Sequence, residues 1–138
     1  METILICENE AFLRILYKEE LEDKGYYILL ARNEWEALGI LRKQSIDLVI
    51  MEYQIEHAEL YKALLRLARN IRNIPIIIFS SYPRHHIDDI WWGEIEYLNK
   101  SSNIDALKDK MREMLDYKRY VDEFYATSGK LRQKELYL

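Results

Sequence analysis

In this 138-residue chain the residues able to do chemistry stand just after short apolar runs. Ile4-Leu5-Ile6-Cys7 is followed by Glu8, Asn9 and Glu10, and Leu48-Val49-Ile50-Met51 by Glu52. Ile76-Ile77-Ile78-Phe79 is followed by Ser80 and Ser81, and Tyr97-Leu98-Asn99 by Lys100. If these runs are strands of an open parallel sheet, the groups after them gather at its carboxyl edge, where such sheets carry their functional sites. Two carboxylates, a hydroxyl and a lysine then share one rim and form a polar site. Singly, an acid after a strand is an ordinary loop or cap residue; the set in this order carries the information. His57, His85 and His86 do not suggest a metal centre, because adjacent loop histidines rarely converge on one ion. Cys7 reads as a small buried hydrophobe.

The elements that must position this rim alternate regularly. The continuous apolar runs over residues 4–7, 48–51 and 76–79 predict strands buried on both faces. Residues 26–31 and Glu96-Tyr97-Leu98 add two more, and Pro75 sits where a strand tolerates a missing N–H. Between them, Leu13, Leu16, Tyr17 and Leu21 recur at helical spacing over residues 10–24, with Gly25 at the C-cap. Ala37, Leu38 and Leu41 mark a second helix over residues 34–43, and Leu60, Leu64, Leu67 and Ile71 a third. A short fourth is expected over residues 87–92, ending at Gly93. Asn103 is the expected N-cap of a fifth through Leu107, Met111 and Met114. Five strands interleaved with five helices predict an α/β, doubly wound, five-stranded parallel sheet of flavodoxin-like type, with right-handed crossovers.

The helical spacing continues past the expected end of a compact domain. Residues 1–115 are therefore expected to form the domain and residues 116–138 an extended C-terminal helix or tail, helical to about Ala126 and stopped by Gly129. Two readings of that tail stand: a solvated helix, or a helix that packs on a second chain through Tyr117, Tyr120, Val121, Phe124 and Tyr125. The same choice, core filling or partner contact, applies to Trp91 and Trp92.

Composition narrows the function classes. Hydrophobic residues make up 49% and charged residues 32%, ordinary for a soluble globular domain. Twenty Lys and Arg against 24 Asp and Glu give a net charge of −4, which argues against direct nucleic-acid binding. One cysteine permits no internal disulfide, so a reducing, cytoplasmic setting is expected. No run reaches the roughly 20 apolar residues of a membrane span, and the acidic start Met1-Glu2-Thr3 is unlike a signal peptide. Four glycines leave little for a glycine-rich dinucleotide cradle. A flavin carrier on a related fold would need hydroxyl- and glycine-rich phosphate loops, and Glu8-Asn9-Glu10 has the wrong charge.

Over residues 2–115 the chain resembles the response-regulator receiver domains (CheY-like) of two-component signalling. Thr3-Ile4-Leu5-Ile6-Cys7-Glu8-Asn9-Glu10 is similar to the family's first strand and acidic pair. Ile46-Asp47-Leu48-Val49-Ile50-Met51-Glu52 is similar to the strand that delivers the phosphorylated aspartate. Ile74-Pro75-Ile76-Ile77-Ile78-Phe79-Ser80-Ser81 is similar to the strand carrying the switch hydroxyl, and Tyr97-Leu98-Asn99-Lys100 to that carrying the switch aromatic and the lysine. Ala31-Arg32-Asn33-Glu34-Trp35-Glu36-Ala37-Leu38 is similar to the start of the second helix. The resemblance implies a two-state module. An aspartyl phosphate forms with Mg2+, Ser80 and Lys100 close on it, Tyr97 turns inward, and a face of the fourth helix, fifth strand and fifth helix changes.

The departures shift that expectation to a pseudo-receiver. Glu52 holds the phosphoacceptor position, its carboxylate one methylene, about 1.5 Å, farther from the backbone than an aspartate's. Asn9 replaces the second acid of the metal-binding pair. Mg2+ demands near-ideal octahedral oxygen geometry, so no cofactor is expected, and Mg2+ only weakly at Glu8 and Glu52. Ser101 stands where the family has a proline. Glu52 is then an inert ion-pair partner of Lys100, a partial mimic of the activated state, or a residual Mg2+-dependent phosphoacceptor. A glutamate offers one charge and two oxygens against nearly two charges and three acceptors for a phosphoryl group, so mimicry is partial. The expected role is not enzymatic. It is protein interaction, with a histidine kinase, a downstream effector or a second copy, through Trp91, Trp92, Tyr117, Tyr120 and Phe124.

Overall fold

The computed structural model describes residues 1–52, 58–81, 95–100 and 103–136, without the side chains of 58, 70 and 128–136. Five strands form one sheet: β1 (Thr3–Cys7), β2 (Tyr27–Ala31), β3 (Leu48–Met51), β4 (Ile76–Ser80) and β5 (Ile95–Asn99). Their order is β2-β1-β3-β4-β5, and every pairing is parallel. The helices are α1 (Ala11–Glu22), α2 (Glu34–Lys43), α3 (Ala58–Leu65) and α4 (Ile104–Leu136). The helix expected over residues 87–92 lies outside the described residues, as do Trp91, Trp92, Gly93, Ser101 and all three histidines. The helix labelled α4 is thus the one that the sequence places fifth.

Side chains alternate across the sheet with the two-residue period of a strand. Leu5, Cys7, Val49, Met51, Ile76 and Ile78 pack with Ala37, Leu41, Tyr61 and Leu64 from α2 and α3. Ile4, Ile6, Leu48, Ile50, Ile77 and Phe79 pack on the other face with Tyr17 and Leu21 of α1 and Leu107, Met111 and Leu115 of α4. The three continuous apolar runs are explained by this: β1, β3 and β4 are covered on both sides, so neither parity needs polar residues.

Local signals place the helices. Asn33 caps α2, its Oδ1 accepting the Glu36 N–H at 2.9 Å. Asn103 caps α4 in the same way through the Ala106 N–H, also at 2.9 Å. Gly25 takes φ +90° in the turn after α1, a conformation that costs glycine little.

Two expectations are corrected. Ile71 does not join the buried stripe of the third helix; it is 69% exposed. Residues Arg66–Ile71 form a π-helical turn, closed by the Arg72 N–H donating to the Leu67 carbonyl at 3.0 Å. The wider turn rotates the stripe, so that Ala68 is buried and Ile71 is carried outward. Gly129 does not stop the last helix, which runs on to Leu136. A helical glycine costs only about 1 kcal/mol relative to alanine, and the residues beyond it, Lys130-Leu131-Arg132-Gln133-Lys134-Glu135, are good helix formers.

Helix α4 buries Leu107, Met111 and Leu115 in its first turns. From residue 116 to 127 none of its residues is buried. Ion pairs hold it along the body: Lys108 to Glu20 of α1 at 2.8 Å, and Arg112 and Arg119 both to Glu2, at 2.9 and 2.8 Å. The fold therefore predicts a sharp difference in sensitivity. Ile77→Ala in the doubly covered β4 should lower unfolding free energy by about 2–5 kcal/mol. Phe124→Ala on the exposed part of α4 should change it by no more than about 0.5 kcal/mol in dilute protein. Urea denaturation of the two variants checks both.

Candidate functional site

The strand alternation that builds the core also assembles the rim. Glu8 continues the series Ile4, Ile6; Glu52 continues Leu48, Ile50; Lys100 continues Leu98. All three fall on the α1/α4 side. Cys7 is level with Met51 in the β1–β3 register, so the acids that follow them are neighbours. The Glu52 N–H reaches the Cys7 carbonyl at 3.4 Å, and the Glu8 N–H donates to Ala31 at 3.0 Å. Lys100 is held by its own N–H, donated to the Ser80 carbonyl at 2.8 Å.

The Lys100 ammonium lies between the two carboxylates. It donates to Glu8 Oε1 and, at 2.9 Å, to Glu52 Oε2. The cluster is nearly dry: side-chain exposure is 13% for Lys100, 3% for Glu8 and 13% for Glu52. The remaining oxygens are occupied too. Glu8 Oε2 accepts the Glu10 N–H at 3.2 Å, and Ser81 Oγ stands 3.5 Å from Glu52 Oε1, at the far limit of a hydrogen bond. Arg14 Nη1 ties the first turn of α1 to the Glu8 carbonyl at 2.8 Å.

Electrostatics follow from two acids sharing one cation. Burial lifts the Glu52 carboxyl above the usual carboxylate range and the nearby Glu8 charge pushes the same way, with Lys100 only partly opposing them. Burial would lower the Lys100 ammonium, but its bonds to Glu8 and Glu52 prevail and raise it. Burial, with Glu34 and Glu8 adding to it, drives the Cys7 thiol up and leaves it unreactive.

Not every rim residue joins the cluster. Asn9 and Glu10 are exposed. Ser80 is fully buried and continues Ile76 and Ile78, the α2/α3 series. Tyr97 shares that parity, and its hydroxyl reaches the Ser80 carbonyl at 3.4 Å. The hydroxyl that meets Glu52 belongs to Ser81. The signal for it was present in the sequence: Ser81 has the parity of Ile77 and Phe79, the same face as the acids.

The fold and this site together define the class. The family model of the response regulator receiver domain matches residues 4–112, and the chain belongs to that family, the receiver domains of two-component signalling. Sporulation initiation phosphotransferase F of Bacillus subtilis is 29% identical over 119 residues, covering 85% of this chain and 96% of that protein. Among solved structures, the response regulator TrrA of Thermotoga maritima, in complex with Mg2+ and BeF, is 32% identical with a TM-score of 0.70, over 83% of this chain and 99% of that one. A CheY-like receiver domain protein of Methanospirillum hungatei shares the fold at a TM-score of 0.76 with 21% identity, over 87% of this chain and 98% of that one.

Receiver domains bind Mg2+, and the residues here can be judged against that ion. Both buried carboxylates are engaged by an ammonium, the neighbouring Asn9 is neutral, and among the described residues no three His, Cys, Asp or Glu side chains are grouped to hold a metal. To hold Mg2+ here, Glu8 and Glu52 would first have to release Lys100. Nor is any helix among the described residues long and apolar enough to cross a membrane.

The cluster makes two predictions. Lys100→Met leaves two carboxylates without their cation and should destabilise the domain by about 3 kcal/mol at neutral pH. Because the Glu52 carboxyl is raised on folding, the native state holds its proton longer than the unfolded chain does. Its contribution to stability is therefore full in acid and falls as pH rises through the raised value. In urea titrations across mildly acidic to neutral pH, Glu52→Gln should gain stability relative to the unmodified protein as pH rises.

Proposed function

We propose that this protein is an atypical receiver that works as a protein-interaction module of two-component or phosphorelay signalling without accepting phosphate. Glu52 stands at the phosphoacceptor position. One observation carries this reading: the Lys100 ammonium bridges Glu8 and Glu52 in a site with little solvent. The cation that would otherwise meet a phosphoryl group is committed to two carboxylates, and the charge needed to bring in Mg2+ is already neutralised. A glutamate carboxylate is also displaced from the position an aspartate would take, and about 1 Å of misplacement can cost ~100-fold in rate.

The similarity to sporulation initiation phosphotransferase F extends over nearly all of that protein and supports a place among phosphorelay components. The role is not enzymatic and needs no cofactor. It is one of binding, in the cytoplasm, to a histidine kinase, an effector or a second copy. Residues 1–115 form the receiver unit and the remainder an extension offering Tyr117, Tyr120 and Phe124; Trp91 and Trp92 are proposed to join the interaction face.

Acetyl phosphate with Mg2+ tests the central claim. Intact-mass spectrometry should show no phosphoryl adduct on the unmodified protein, and a stoichiometric gain at Glu52 would overturn it. Glu52→Asp should restore little while Asn9 remains; Asn9→Asp with Glu52→Asp should restore more. Beryllium fluoride with Mg2+ should leave the amide NMR spectrum of the unmodified protein unchanged.

A further inference from the structure

Beyond Leu115 the last helix buries no residue that would hold it in place. Every residue from Asp116 to Thr127 is exposed or half-buried. The first turns of α4, packed on the sheet through Leu107, Met111 and Leu115, supply the costly nucleus. The rest needs only propagation, whose equilibrium constant is about 1–1.6 per residue even for good helix formers. Tyr117, Tyr120, Val121, Phe124, Tyr125 and Thr127 are poorer ones. The distal stretch is therefore close to balance between helix and coil, and one modest tie decides its state.

That tie is Glu2. Arg112 and Arg119 are seven residues apart, which puts them on one flank of α4, about 10 Å apart along its axis. Both guanidinium groups converge on the same atom. Arg112 Nη2 donates to Glu2 Oε1 at 2.9 Å, and Arg119 Nη2 donates to it at 2.8 Å. Arg112 is itself steadied by Asp116, at 3.1 Å, and lies over the Tyr26 ring. Its bond holds the Glu2 carboxyl below the usual carboxylate range, so the group is charged at neutral pH. The anchor is fixed through its backbone: the Glu2 carbonyl accepts the Tyr27 N–H at 3.0 Å, and the Thr3 N–H is donated to Asp47 Oδ2 at 2.7 Å. Arg119 stands one turn past Leu115. Among the described residues it is the last of α4 in an ion pair with the body; Lys118 and Asp122 pair with each other.

We infer that Glu2 is a strap that keeps the distal part of α4 helical, and that its release turns residues 117–127 to coil while the sheet stays folded. Order and disorder of a segment is a recognised form of switching. The input here is any condition that competes for the two guanidinium groups, salt being the simplest. Tyr117, Tyr120 and Phe124 are then presented together on one side of a helix only while the strap holds. Nothing in this tie involves Glu52 or Lys100, so it stands apart from whether the rim accepts phosphate.

Hydrogen exchange of the full chain, read amide by amide by NMR, tests it. In the unmodified protein, amides 117–127 should be protected well above coil rates. Glu2→Gln should lower that protection at least about threefold, with the amides of β1, β3 and β4 unchanged. Arg119→Gln keeps a good helix former in place and should lose part of the protection. The double variant should lose no more than Glu2→Gln alone, because the two substitutions remove one shared interaction. Salt at about 1 M, where the Debye length is about 3 Å, should lower protection in the unmodified protein and change Glu2→Gln much less. Amides 117–127 unprotected in the unmodified protein, or untouched by Glu2→Gln, would overturn the inference. So would a loss spread evenly over the sheet, the mark of a residue that merely stabilises the whole domain, or full additivity of the two substitutions.

Discussion

A single ammonium group between two carboxylates ties the carboxyl edge of this sheet together. Glu8 and Glu52 come from adjacent strands in register, side by side in a nearly dry site, and like charges so placed do not ionise together without a counter-charge. Here Lys100 supplies it from the end of β5. Three strand ends are thereby joined by one cation, and the hydrogen bonds of Glu10, Arg14 and Ser81 complete the shell around it. The pairing of Lys100 with Glu52 expected from the sequence is part of a bridge shared with the more deeply buried Glu8.

This arrangement separates two halves of a receiver's machinery that are ordinarily described together. The charged triad belongs to the α1/α4 side, whereas Ser80 and Tyr97 share the parity of the α2/α3 side and touch each other through a backbone carbonyl. The two halves are joined at β4 and β5, where the Lys100 N–H is bonded to the Ser80 carbonyl.

Much of the fold was legible because its strands are simple. Runs such as Ile76-Ile77-Ile78-Phe79 have no polar residue on either parity, and only a strand covered on both faces tolerates that. Asn33 and Asn103 announced two helix starts by the reach of a short amide to a free N–H. Three features were harder to read. The π-helical turn at Arg66–Ile71 adds a residue to the turn without leaving a compositional mark, so the 3.6-residue pattern carried forward to Ile71 fails. Gly129 is a helix stop only when nothing after it favours helix, and the residues that follow favour it. Ser80 and Ser81 both follow the fourth apolar run, and the two-residue period of a pleated strand sets Ser81 on the face of the acids.

The clasp of Arg112 and Arg119 on Glu2 has a mechanical side. It fastens α4 to the start of β1, and beyond it the helix continues for 17 residues, from Tyr120 to Leu136. At 1.5 Å per residue that overhang is about 25 Å long. A rotation of about 5° about the clasp, within what packed helices accommodate by sliding, sweeps its far end by about 2 Å. The helix is thus a pointer with Glu2 as its pivot. A shift at its first turn too small to disturb the core is enlarged at its far end by the length of the helix alone.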